Sequence, residues 1–216
     1  MTGARQLDDF LDSQKKASYK SHKKLARIAR EAYPIGVPAL IMKSSTDRLG
    51  ASAGYSFHLG TPDDLLRRIA SWILTKSEND HKVVNKLVST LWKRHGREDV
   101  ALAALLLANV DHHALGTDPW KILASCINSI EPAEALLLSI EELSRAGHPT
   151  PDNNMLRQWY YGRLVESHLA LLCVHVAISK GEEIDEGVFR LLSTINVPLG
   201  DSLLGRIRDK MSSAIE

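Results

Sequence analysis

Residues 86–110 read KLVSTLWKRHGREDVALAALLLANV, a stretch that divides into two helices joined by a tight turn. Starting just upstream, Val83, Val84, Leu87, Val88, Leu91 and Trp92 recur at steps of one, three and four, which is one apolar face of a helix. Lys93, Arg94 and His95 close its last turn, where cations suit the negative end of the helix dipole, and Gly96 supplies the break. The second helix opens with Glu98 and Asp99, the sign its positive end favours. It continues through Val100, Ala101, Ala103, Ala104, Leu105, Leu106, Leu107 and Ala108, apolar nearly all round. Such a helix is expected to be buried, and its alanines let neighbouring helices come close. A helix pair of this kind, repeated, is the unit of an α-solenoid.

Further helices flank this pair. Thr61 is expected to cap one, with Pro62 at its first position, Asp63 and Asp64 in its first turn, and Leu65, Leu66, Ile69, Trp72 and Ile73 as its buried face. Before it, 7–17 and 20–32 read as two short helices, the second ended by Tyr33-Pro34, because the residue before proline is pushed out of the helical region. A helix with Pro38 at its first position fits VPALIMK, and the Ser- and Gly-rich run 44–56 reads as a loop. Downstream, Thr117 or Asp118 caps a helix with Pro119 at its start, and Glu131-Pro132 opens another that Gly147 closes. A long helix over 155–180, then helices over 185–194 and 200–213, complete the chain. No segment reads as a strand and no exact repeat is present, so the solenoid expectation rests on helix pairing. The expected fold is all-α over one domain, 1–216, with basic helices in 1–33 and a helix-pair array in 61–216.

The composition is that of an ordinary globular chain, with 216 residues, 44% hydrophobic and 25% charged. No apolar run approaches a membrane span, and MTGARQLDDFLDSQKK lacks the apolar core of a signal peptide. A cytoplasmic protein with no membrane partner is therefore expected. A net charge of +1 does not announce a nucleic-acid binder. Its local distribution is more informative. Lys15, Lys16, Lys20, Lys23, Lys24, Arg27 and Arg30 crowd 14–33, opposed only by Glu31. Such a cluster is ordinarily a solvated helix face, and its sharper reading is a phosphate-binding strip.

Few residues have the spacing of a chemical site. Adjacent His112 and His113 point in different directions, and the seven-residue step from His168 to His175 shows only a shared helix face. Without a His-x-x-x-His or Glu-x-x-His pair no metal is expected. Cys126 and Cys173 sit in apolar helical surroundings and read as buried reduced thiols. Phosphate cradles of the strand–loop–helix type are absent, and no cofactor is expected.

Three stretches carry a resemblance. Leu91-Trp92, then Arg97-Glu98, then the Ala-rich helix look like the DNA alkylation repair family of HEAT-like-repeat glycosylases and their non-catalytic DNA-binding relatives. LGTPDDLLRRIASWI, 59–73, is similar to the helix that opens the family's array, and HLALLCVHVAISKGEEIDEGVFRLL, 168–192, resembles a late repeat. Together they span roughly two-thirds of the chain, judged against known repeat lengths. Catalytic members carry a tryptophan followed by a carboxylate on the helix opening the middle repeat, an arginine on a later helix and an aromatic on the last. The resemblance places the tryptophan at Trp120, the carboxylate at or beside Ala124, the arginine near His168 and the aromatic near Gly205. Three of these four positions depart from the pattern. Asp118 is the only acid close to Trp120, and its competing role is the helix cap.

The resemblance therefore implies a DNA-binding solenoid acting on duplex, damaged or branched DNA, with its catalytic pattern largely missing. Phosphate contacts are expected from Lys43, Lys93, Arg94, Lys121, Arg157, Arg163, Arg206 and Arg208, with His168 at the arginine position. Trp120 would lie against sugar or base, and any residual catalysis would fall to Asp118. The rival expectation, favoured by the near-neutral charge, is a helical scaffold for a protein partner without nucleic acid.

Overall fold

A computed structural model describes residues 3–48, 54–77, 80–197 and 202–213. Among them every regular element is helical and no strand occurs, so the chain is all-α. None of these helices is long and apolar enough to cross a membrane. The chain forms two compact units, Met1–Cys126 and Ile127–Glu216. The first holds α1 (Gly3–Asp12), a 3₁₀ turn (Lys16–Ser18), α2 (His22–Ala32), α3 (Ala39–Arg48), α4 (Asp63–Lys76), α5 (His81–Arg94), α6 (Arg97–Asn109), α7 (His112–Leu115) and α8 (Pro119–Cys126). The second holds α9 (Ala133–Arg145), α10 (Asn153–Tyr160), α11 (Leu164–Ser179), α12 (Glu186–Leu192) and α13 (Ser202–Ser213).

Each unit is built on one helix that is apolar all round. In the first it is α6, buried from Glu98 to Ala108 and in contact with α4, α5 and α8. Trp92, 1% exposed, fills the α5 side of this core. In the second it is α11, buried from Ser167 to Val174 and contacted by α9, α10, α12 and α13. A helix without a polar face gains stability only by burial on every side, which is why both recruit several neighbours.

The turn between α5 and α6 differs in detail from its expectation. The left-handed residue is His95, φ 58°, and not Gly96. Gly96 is needed for space, since a Cβ there would lie 2.0 Å from the Phe57 ring. Phe57 belongs to a segment laid along this turn. The Ser56 N–H donates to His95 O at 2.8 Å, and the Arg97 N–H donates to Phe57 O at 2.8 Å. The Arg30 guanidinium covers the ring at 3.7 Å from its centroid.

Glu98 and Asp99 stand in the first turn of α6, as expected, and have no exposed surface. Glu98 Oε1 accepts the N–H groups of Leu59 and Gly60 at 2.8 and 2.9 Å. Asp99 accepts the Tyr33 hydroxyl at 2.8 Å and Arg94 Nε at 2.6 Å, with Arg94 Nη2 also donating to it. The acids thus tie α6 to the 55–61 segment and to the end of α2.

Other boundaries move for local reasons. The expected 7–17 helix is α1, ending at Asp12, and a separate 3₁₀ turn. The Thr61 hydroxyl donates to Tyr33 O at 2.9 Å, so it does not cap α4, whose N-cap is Pro62. The run 44–56 is helical as far as Arg48, and its 49–53 part lies outside the described residues, as do 200 and 201 of the expected last helix. The single helix expected over 155–180 is two, α10 and α11. Tyr161 ends the first and Arg163 turns extended, φ −69° and ψ 150°, while its N–H donates to Glu166 Oε2 at 2.8 Å. That bond is half of a capping box, enough to restart a helix after Gly162.

Candidate nucleic-acid interface

The acid nearest Trp120 is held by the backbone. Asp118 Oδ1 accepts the Lys121 N–H at 3.0 Å, so the carboxylate caps α8. Asp118 and Lys121 share a hollow of about 540 Å³ with Gly116, Thr117, Ile122 and Ser125. Trp120 is only 4% exposed, so the indole expected against a sugar or base belongs to the core of its unit. Ala124, 8% exposed, presents only a methyl group where the resemblance places a carboxylate. The hollow offers one committed acid, one ammonium group and two hydroxyls, which suits polar positioning better than stabilisation of a developing cation.

The expected phosphate contacts fall into two groups. Lys43, Lys93, Lys121 and Arg206 are exposed. The other arginines hold acids. Arg157 Nη2 lies 2.8 Å from Asp185 Oδ1, Arg163 Nη2 lies 2.9 Å from Glu166 Oε1, and Arg208 is paired with Asp209 at 2.6 Å. Arg163 also donates to Ile127 O at 3.1 Å. Arg94 is the clearest departure from expectation. Besides Asp99 it donates through Nη1 to Ala26 O at 2.8 Å, which makes it an internal strut. His168, 6% exposed, makes a hydrogen bond of 3.1 Å through Nε2 with Asn196 O, so it fixes the chain beyond α12.

The electrostatics of the buried acid cluster follow from its geometry. Burial pushes the Tyr33 phenol well above its ordinary range, and the charge and hydrogen bond of Asp99 push the same way. For Arg94, burial pulls downward but the hydrogen bond and charge of Asp99 outweigh it, holding the guanidinium above its usual value. Sequence reasoning missed this cluster. Its only local signal was the Glu98-Asp99 pair, which a surface helix start explains equally well.

The remaining candidates are structural. His112 is buried, with Nε2 2.7 Å from Leu107 O and Nδ1 3.4 Å from Thr117 Oγ1. Among the described residues no three His, Cys, Asp or Glu side chains converge as a ligand set. Cys173 is buried, and burial pushes its thiol well above the usual range. Cys126 departs from expectation, being half-buried, with its Sγ 3.6 Å from Ser89 Oγ. The His175 imidazole is held below its ordinary value by burial and by the Lys210 charge. The chain matches no family model, no characterised protein and no solved structure.

Proposed function

We propose that this chain is a cytoplasmic DNA-binding α-solenoid of the kind the DNA alkylation repair resemblance implies, with little or no base-excision activity. The observation that carries the reading is the state of its cations. Lys43, Lys93, Lys121 and Arg206 are exposed, and among the described residues none has a carboxylate within ion-pair distance. Such groups can exchange counterions for DNA phosphates without first breaking an internal pair. Helix-on-helix packing such as α5 with α6 and α10 with α11 agrees with a solenoid built of pairs. Arg157, Arg163 and Arg208 would have to trade an acid for a phosphate, so they are weaker contributors.

The test is a titration of fluorescent duplex, mismatched and branched DNA at rising salt. Binding should weaken steeply. Changing Lys43, Lys93 and Lys121 to Ala should lower the log–log salt slope by about one for each phosphate no longer neutralised, with no change in sequence preference. A second reading, a scaffold for a protein partner, is favoured by the near-neutral net charge of +1. Absence of salt-dependent DNA binding at low ionic strength would put that reading ahead.

A further inference from the structure

The basic run near the N-terminus folds in a way that neither function above uses. Residues 14–19 close on themselves, with the Tyr19 hydroxyl donating to Gln14 O at 2.9 Å. The Tyr19 ring stands edge-on against Trp72 of α4, centroids 5.4 Å apart and planes at 90°. This packing anchors the 3₁₀ turn beside the end of α4. Lys16 and Lys20 then face Lys76 across a hollow of about 590 Å³, completed by Ala17, Tyr19, Ser77 and Asp80. That volume falls in the range of small-ligand pockets, about 300–1,000 Å³.

Arg27, Arg67, Arg68 and Arg94 each hold a carboxylate. Among the described residues Lys16, Lys20 and Lys76 hold none. Asp80 is, among the described residues, the one acid lining the hollow, and its Oδ1 accepts the Val83 N–H at 3.1 Å as the cap of α5. The Ser77 hydroxyl is likewise engaged, donating to Ile73 O at 2.7 Å. The neighbouring hollow, about 400 Å³, shares Lys76 but contains Asp8 and Asp12, with Arg68 already on Asp8. Three lysines lining one hollow raise the positive potential there, and an ammonium group gains a charge-assisted hydrogen bond from an oxyanion.

We propose that Lys16, Lys20 and Lys76 form a binding pocket for a phosphoryl group. The inference does not depend on the DNA-binding reading, because a free phosphorylated small molecule and a nucleic-acid phosphate offer the same oxyanion. The experiment titrates the full chain with inorganic pyrophosphate at low ionic strength by calorimetry. Saturable binding is expected, weakened about tenfold or more when all three lysines become Ala, by loss of charge-assisted hydrogen bonds. The control triple variant Lys23→Ala, Lys24→Ala and Lys86→Ala removes the same charge from exposed positions elsewhere in the unit and should retain binding. A single variant, Lys20→Glu, should also lose binding while melting like the wild type, because Lys20 is exposed.

Duplex DNA separates the sources. If the pocket variant loses DNA affinity and pyrophosphate displaces DNA, the phosphate is that of the backbone. If DNA affinity is unchanged while pyrophosphate binding is lost, the ligand is a free phosphorylated molecule. No saturable pyrophosphate binding, or equal weakening in the control variant, overturns the proposal.

Discussion

Tyr33 donates its hydroxyl to a carboxylate that has no exposed surface, and that single bond predicts how stability depends on alkali. The folded phenol loses its proton above its ordinary pKa of 10.0, so the unfolded chain ionises first as pH rises. Stability from this group is therefore complete below that value and is lost as pH climbs past it toward the folded value. Urea melts from about pH 9 to about pH 11 should show this decline, and Tyr33→Phe should flatten it. At neutral pH the same substitution should cost about 1.5–3 kcal/mol, because Asp99 loses a charge-assisted hydrogen bond. A wild type whose alkaline slope equals that of the variant would refute the assignment. Gly96 makes a steric prediction of the same locality. Gly96→Ala drives a methyl group into the Phe57 ring, and overpacking of this kind costs about 1–3 kcal/mol. Phe57→Ala in the same chain should recover part of that cost, and strictly additive losses in the double-mutant cycle would show that the ring can step aside.

At the scale of helices, Trp92→Ala should destabilise by about 3–5 kcal/mol, since the indole is almost wholly enclosed on the α5 side of the core. Glu166→Ala should cost about 1 kcal/mol through loss of the half capping box that restarts α11. Chemical melts of both variants check these figures, and a neutral Trp92→Ala would mean the α5 face contributes no core. The buried faces of α4, α5 and α6 could be read directly because apolar periodicity is a local pattern. Glu98 and Asp99 could not be placed that way. Their partners Leu59, Gly60 and Tyr33 lie 38 to 66 residues away, and only the fold brings them together. The division between α10 and α11 is not legible, and one long helix over 155–180 is the expectation, because Arg163 is not a usual capping residue and the apolar pattern continues across the break. In the candidate site, Asp118 as a cap follows from Asp-Pro before a helix. The pairing of Arg157 with Asp185, 28 residues on, leaves no local trace, and neither does the burial of Trp120.

At the scale of the whole molecule the question is whether such a chain excises alkylated bases. Cleavage of an alkylpurine glycosidic bond passes through a positively charged sugar, so a carboxylate aimed at that sugar matters most in the transition state. Ala124 supplies no charge at the place where the resemblance puts that acid. Asp118 lies before α8, with its carboxylate turned to the Lys121 N–H. Trp120, expected to shape the site, is enclosed in the core, and His168 is bound to Asn196 O. Loss of one well-placed electrostatic group typically costs on the order of 10²–10³ in rate, and here several are missing or committed elsewhere. A single-turnover assay on methylated DNA is therefore expected to show little or no base release by the wild type, and Asp118→Asn should leave stability nearly unchanged, because Asn caps a helix about as well as Asp. Efficient release by the wild type would overturn this expectation. If Asp118→Asn then abolished release, the acid that caps α8 would also be the one that faces the sugar. DNA would have to draw the carboxylate away from Lys121 N–H, and the hollow it shares with Thr117 and Ser125 would be the reaction site.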